Sequence, residues 1–434
     1  MVNFLKLGRV TAFALIVQST LSSLAAAPLL LSKEQAVVSA LQQNPALNAA
    51  RTTIDRAHGN RQQAGRWTNP ELSIDYATDQ TFNNVGEYGY AVGFEQRFPV
   101  TNRLRLQKSI AQDEIELAEA EVANHVRLLT RAVETSVAAA TAIRAQIELR
   151  DERLELNRKF AEFMESRVSI GEVSSVQTNQ VRIELYAVEQ EKQELSNALL
   201  LELAKLKQLV GADVNAELIL THQFELPATQ PQLAILTQES LMQHPEYRMK
   251  SLLYRMSDKR ISVAKAERWA DIAVRVFFEE KRGIDDPGGL GTDRFFGVGL
   301  SIPLPLLDRK EGAILAGRAE QRQLKYELDR VGLEVRSESH TQATRAVSLY
   351  QQAREYEGNL TQLVAKNLAE MNTAYGAGQI DLVELFRSQE QGLRVQSAQL
   401  TKLHDFELAM IRWKAATGAP ITQAIFKLNE KNKF

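Results

Sequence analysis

Residues 100–210 read VTNRLRLQKSIAQDEIELAEAEVANHVRLLTRAVETSVAAATAIRAQIELRDERLELNRKFAEFMESRVSIGEVSSVQTNQVRIELYAVEQEKQELSNALLLELAKLKQLV, and this stretch decides the fold. It has no proline, and its only glycine is Gly171. Val100–Ile170 and Glu172–Val210 are therefore free of helix breakers, and Gly171 is the one natural corner. Apolar side chains at Val122, Val126, Leu129, Val133 and Val137 step by four and three, which is the seam of a helix packed on another helix. Unbroken, the first arm would be about 105 Å long at 1.5 Å per residue. An ordinary globular helix has about three or four turns. A rod of that reach spans a distance, so the stretch predicts a coiled-coil hairpin.

Outward from the rod, the chain changes period. Upstream, Ser32-Lys33-Glu34-Gln35 is a capping box that opens a helix, and a second helical run follows Asn44-Pro45 to about Arg66-Trp67. Leu72, Ile74 and Tyr76 then alternate with Ser73, Asp75 and Ala77. After the turn-rich piece Thr81–Glu87, the segment Tyr88–Phe98 sets Tyr90, Val92, Phe94 and Phe98 on one face and Ala91, Gly93, Glu95 and Arg97 on the other. Period two over both segments predicts a β-hairpin with one oily face and one small or polar face. Pro99 stops it and Asn102 is placed to cap the rod.

The same programme runs again. Asn44-Pro45 is answered by His244-Pro245, Arg66-Trp67 by Arg268-Trp269, and Gly171 by Gly378. The hairpin returns as Ile272–Glu279 and Phe295–Ile302, joined by the loop Lys281–Arg294. Leu209-Val210-Gly211-Ala212 is matched by Ala416-Thr417-Gly418-Ala419. Ordered matches with a slowly drifting offset signal internal duplication. The repeats are expected over about 32–218 and 231–420, joined by the linker 219–230 around Pro227 and Pro231. Gly317, Gly332, Gly358 and Gly392 interrupt the second long pair and mark either bends or close helix contacts.

The totals narrow the possibilities. The chain has 434 residues, a formal charge of −2 and no cysteine. That balance argues against a nucleic-acid partner. The missing cysteine excludes disulfides, thiolate metal sites and a lipidated Cys. Lys6, Arg9, the apolar run Val10–Val17 and the small residues Ser23–Ala27 read as a secretory signal over residues 1–25. No later stretch approaches the roughly twenty apolar residues of a spanning helix. No hydrolase elbow, P-loop or dinucleotide fingerprint occurs, so no enzyme and no cofactor is expected. His58, His125, His222, His244, His340 and His404 are scattered and form no metal-ligand spacing, so no resident metal is expected.

Four strands with an oily outer face cannot close a barrel, and an open edge in lipid leaves backbone groups unsatisfied. Several copies sharing one barrel would remove the edges. The helices must then hang from one side of that barrel and gather into a second tube, with the turns at Gly171 and Gly378 furthest from the membrane. Trp67 and Trp269, at the matching helix-to-strand junctions, would stand at the membrane interface, or else serve ordinary packing.

Over essentially the whole mature chain this two-fold pattern of helix, hairpin and long helical pair resembles the TolC-like outer-membrane factor family. The segment from Gly297-Val298-Gly299-Leu300-Ser301-Ile302-Pro303 to Asp308-Arg309, followed by Glu311-Gly312, is similar to the signature of its CzcC-like branch, associated with divalent heavy-metal efflux. The resemblance implies a mainly α fold with β. Long α-helical hairpins would form a trimeric α-barrel, and four strands per chain would contribute to a shared twelve-stranded transmembrane β-barrel. It implies a homotrimer in the cell outer membrane, extending into the periplasm, in contact with outer-membrane lipid. Its partners would be a periplasmic adaptor (membrane fusion) protein and an inner-membrane pump of the RND type. The implied function is a passive duct of a tripartite efflux system for cations such as cobalt, zinc or cadmium. A drug or polypeptide duct of the same fold is the alternative, and a soluble periplasmic coiled-coil scaffold is a further one.

The residues that bear on gating lie at the two turns. Asp381-Leu382-Val383-Glu384, after Gly378, has the spacing of a helix cap. In the resembling family, acids after this turn line the constricted entrance. Glu384 matches one of these by position, and Arg387 stands where another acid is common. Asp381, Glu384 and Arg387 are thus candidate gate residues, as a carboxylate ring or as an Arg–carboxylate clasp. At the first turn, Ser174 to Gln177 is again a capping box. Gly171, Ser174, Gln177 and Gly378 are the candidate helix-turn and adaptor-docking residues.

Overall fold

The computed structural model describes residues 29–81, 86–234, 236–285 and 288–418. The expected signal segment, Asp286-Pro287 and the end of the second repeat from Ala419 lie outside them. One series of elements comprises α1 (Lys33–Gln43), α2 (Pro45–Gln63), β2 (Glu71–Thr78), β3 (Tyr88–Phe98), α3 (Arg103–Ser169) and α4 (Ser175–Val210). A second comprises α5 (Gln238–Gln243), α6 (Pro245–Ala266), β5 (Ile272–Asp285), β6 (Gly289–Ser301), α7 (Glu311–Glu355), α8 (Thr361–Gly376) and α9 (Leu382–Thr417). A short strand β1 (Leu29–Leu31) precedes the first series and β4 (Leu218–Leu220) separates the two.

The rod is one helix: α3 runs for 67 residues without interruption. Val126, Val133 and Val137 of the expected seam are buried to 2% exposure or less. They pack on α1 and α4, through Leu41, Ala36, Ala40, Leu206 and Val210. Asn102 precedes α3 but makes no side-chain cap, contrary to its expected role. Its backbone (φ −79°, ψ 13°) lacks the extended conformation a cap needs, and the Arg103 amide donates instead to Thr101 Oγ1 at 3.4 Å. Ser32 does cap α1, accepting from the Gln35 amide while Gln35 Oε1 accepts from the Ser32 amide at 2.8 Å.

Three departures from the sequence reading are backbone features. Leu29–Leu31 pairs in parallel with Leu218–Leu220, so the expected linker begins inside a strand that ties down the start of the described chain. The strands β5 and β6 run on to an Asp285↔Gly289 pair, so the expected loop Lys281–Arg294 is mostly ladder. Between α7 and α8 lies a π-helical turn, Tyr356–Leu360, with Gly358 at its centre and Thr361 Oγ1 donating to the Tyr356 carbonyl at 2.6 Å. Gly358 therefore marks a bend in the ladder of hydrogen bonds. Gly392 marks a close contact, because a Cβ there would meet Leu368 Cδ1 at 3.2 Å.

At mid-height two helix ends meet two helix starts. Asn44 caps α2 through the Leu47 amide (3.0 Å) and also donates to the Leu209 carbonyl at the end of α4 (3.0 Å). His244 precedes α6 and lies against Gly418 at the end of α9. Thus α4 is continued by α2, and α9 by α6, as two jointed columns. The helices α3 and α7 pass the same level unbroken.

Candidate channel surfaces and gate

The four long strands form one antiparallel sheet in the order β2-β3-β5-β6. Register sets the faces. Leu72 stands beside Phe94, Phe94 beside Val276 and Val276 beside Val298. The next layer is Ile74, Val92, Phe278 and Phe296. Among the described residues the middle of this face is uncovered: Leu72, Ile74 and Val298 are 65–69% exposed and Phe296 75%. A contiguous apolar sheet face left open requires an apolar partner. The opposite face carries Glu71, Glu95 and Arg275 in one layer, and Ser73, Gly93, Phe277 and Gly297 in the next. Two aromatic rings, Phe277 and Phe295, lie on this face that was expected to be small or polar. The glycines opposite explain the first: a Cβ on Gly297 would meet the Phe277 ring at 2.4 Å. The Arg275 guanidinium sits over that ring at 5.6 Å.

The apolar face has a polar border at its end remote from the helices. Tyr88 Oη donates to Glu280 Oε1 at 2.9 Å and Arg294 Nε donates to Glu280 Oε2 at 2.7 Å. At the near end, Trp67 meets the Phe98 ring edge-on at 5.7 Å and is 59% exposed, while Trp269 is 51% exposed. Both tryptophans have a packed side and an open side, as interface aromatics do.

The helix tips are built from caps. Gly171 (φ 79°) follows the end of α3, where the Glu172 amide donates to the Arg167 carbonyl and the Gly171 amide to Val168, each at 3.0 Å. Gly378 (φ 70°) repeats the pattern, with Gln379 donating to Ala374 and Gly378 to Tyr375, each at 2.9 Å. This is the left-handed termination that glycine suits. Ser174 Oγ accepts from the Val176 amide at 3.2 Å, and the Ser174 amide donates to Gln177 Oε1 at 3.3 Å. Asp381 Oδ1 accepts from the Glu384 amide at 2.8 Å, so Asp381 caps α9. Asp381, Glu384 and Arg387 are all exposed. Among the described residues Arg387 forms no ion pair.

The structure adds residues that sequence reasoning missed. Phe160 of α3 stacks on Phe386 of α9, with ring centroids 4.0 Å apart and planes 9° from parallel. Arg153 of α3 donates to Glu184 of α4 at 2.5 Å and to Glu390 of α9 at 2.8 Å. At 1.5 Å per residue these contacts lie roughly 15–30 Å from the Gly171 tip. They bind the two helical hairpins to each other just above the gate candidates. Nothing local in the sequence pairs residues so far apart, although Phe386 adjoins Arg387. Among the described residues no group of three or more His, Asp or Glu could hold a metal ion. No described helix is long and apolar enough to cross a membrane.

Residues 36–212 match the family described as outer membrane efflux protein. A comparison with curated proteins finds no match to the chain. In fold, the chain is similar to the Campylobacter jejuni CmeC outer membrane channel, at 12% identity and a TM-score of 0.74, covering 92% of this chain and 89% of that one. It is also similar to the outer membrane protein VceC of Vibrio cholerae, at 17% identity and a TM-score of 0.68, covering 89% and 96%. The Neisseria gonorrhoeae MtrE outer membrane channel, solved in its open state, aligns at 13% identity with a TM-score of 0.67, covering 89% and 88%. The chain thus matches the outer membrane efflux protein family over residues 36–212 and shares the fold of these solved channels.

Proposed function

We propose that three copies of this chain form a passive efflux duct of the outer membrane. The observation that carries the reading is the four-stranded sheet, with its open apolar face and its two unpaired edges, β2 and β6. Edge pairing between sister copies satisfies the backbone, and lipid covers the apolar face. The helices then wall a tunnel through the periplasm and dock at their tips, around Gly171, Ser174, Gln177 and Gly378, onto a periplasmic adaptor. An inner-membrane pump of the RND type supplies the energy. The cargo we assign is a divalent heavy-metal cation, on the strength of the segment Gly297–Gly312. Asp381, Glu384 and Arg387 form the gate, and opening requires α9 to move against α3, across the Phe160–Phe386 stack and the Arg153–Glu390 pair.

The test is purification of the mature protein in detergent, followed by reconstitution in planar bilayers. A trimeric mass, heat-dependent electrophoretic migration and channel conductance are expected. A monomer that stays in solution without detergent would remove the proposal. For cargo, zinc, cobalt and cadmium titrated against a strain lacking the chain should inhibit growth at lower doses than in the parent, while dyes and antibiotics act equally on both.

A further inference from the structure

Three helices of the wall each turn one face to the elements that wrap them. Val133 of α3 packs against the α1 cluster, Val331 and Val335 of α7 against Leu241 of α5, and Met410 of α9 joins Leu226 and Leu233 of the connecting segment on the cluster around Tyr350 and Phe406. Two positions along a helix is a turn of about 200°. Arg131 and Arg412 therefore lie on the opposite side of α3 and α9 from these wrapping elements, and α7 lines the space between them with Leu333 and Val335. There, where α9 ends and α6 begins, a groove of about 610 Å³ is lined by Arg127, Arg131, Arg412 and His244, and by the acids Glu246, Glu334 and Glu338.

The charges in this groove are unequally committed. Arg127 is occupied: it donates to the Ala415 carbonyl at 3.0 Å and to Glu246 at 3.2 Å. Glu334 on the α7 side is held by Arg330 at 2.6 Å, and Glu338 accepts from Gln342 at 3.1 Å. Arg131 and Arg412 have no ion-pair partner among the described residues. The 22-residue helix α6 begins at the same place with no side-chain cap, so the positive end of its dipole lies beside the groove. His244, 1% exposed, lines it as well, with the Ala415 carbonyl beside its ring. Two free guanidinium groups and an uncapped helix start converge on one space, and both kinds of group favour an anion.

We infer that this groove holds the oxyanion group, carboxylate or phosphate, of a molecule moving along the passage. The inference rests on the proposed trimeric duct, because the side away from α1, α5 and the connecting segment is the inner side only if the copies enclose a tunnel. It deepens that reading by naming a chemical class: a bare divalent cation is disfavoured at this level, and one accompanied by an oxyanion is not.

The test compares wild type with Arg131→Gln/Arg412→Gln in planar bilayers. Both substitutions leave the caps and the sheet untouched, so conductance is expected in both proteins. Under a potassium chloride gradient the double variant should become more cation-selective. Inorganic phosphate or acetate should reduce the wild-type current, and the double variant should need at least tenfold more of either. A stronger effect of phosphate assigns the phosphate group, and a stronger effect of acetate the carboxylate. Equal selectivity and equal anion sensitivity in the two proteins would overturn this inference alone. No wild-type conductance would overturn the duct reading and this inference with it.

Discussion

His244 shows what one residue contributes when its position is copied but its chemistry is not. The matching Asn44 caps α2 with its side chain, whereas His244 occupies the same place before α6 without doing so. Burial, with the Arg127 charge beside it, pushes the imidazole down to about 4 from 6.5. Between those values the unfolded chain binds a proton that the folded chain refuses. Stability is therefore complete above pH 6.5, falls as the pH drops, and reaches its full loss of about 3 kcal/mol per chain near pH 4. In His244→Asn the slope across that window should flatten, read from chemical unfolding of the helical part at several pH values; an unchanged slope would clear His244 of the effect. The gate residues make a second prediction at this scale. Glu384→Lys and Arg387→Glu, made singly, should each change closed-state conductance, and no change in either would exclude both side chains from the gate. Caps were legible here because Ser32, Ser174 and Asp381 each precede their helix with a Gln or Glu three residues on. Asn102 misled because a cap depends on backbone angles that its side chain does not set.

Among elements, the helices and strands were readable wherever one period ran long. Tyr88–Phe98 was found with its observed ends, since alternation and Pro99 both bound it. The outer parts of β5 and β6 were not, because Lys281–Ile284 and Gly291–Asp293 carry no oily face; their ladder is held by pairing alone. Nor was Leu29–Leu31, too short for any period and dependent on a partner at Leu218–Leu220. The sheet supplies a sharp test of its two faces through adjacent residues. Phe296 belongs to the apolar face, so Phe296→Arg should cost about 2–4 kcal/mol in the membrane and deplete assembled trimers. Phe295 points the other way, and Phe295→Arg should assemble normally with an altered single-channel current. If both variants assembled equally, the assignment of faces would be wrong.

At the scale of the molecule, what the sequence concealed was how its parts hold each other. The stack of Phe160 on Phe386 and the Arg153–Glu390 pair join hairpins whose contacts no local pattern announces. Phe386→Ala with Glu390→Gln should free the α8–α9 tip, removing about 1 kcal/mol of ring stacking beyond buried area. Limited proteolysis near Gly378 should quicken severalfold while the trimer persists, and an unaltered cleavage rate would show that these contacts do not restrain the tip. The joints at mid-height have a mechanical consequence. A column spliced at Leu209–Asn44 or Gly418–His244 can hinge there more readily than an unbroken helix, because side-chain contacts and not a helical ladder join its two halves. The unspliced α3 and α7 cannot hinge, and must flex along their length like leaf springs. A twist applied at the far tips would thus be spent at the splices and stored as curvature in the other two columns, leaving the sheet unstrained.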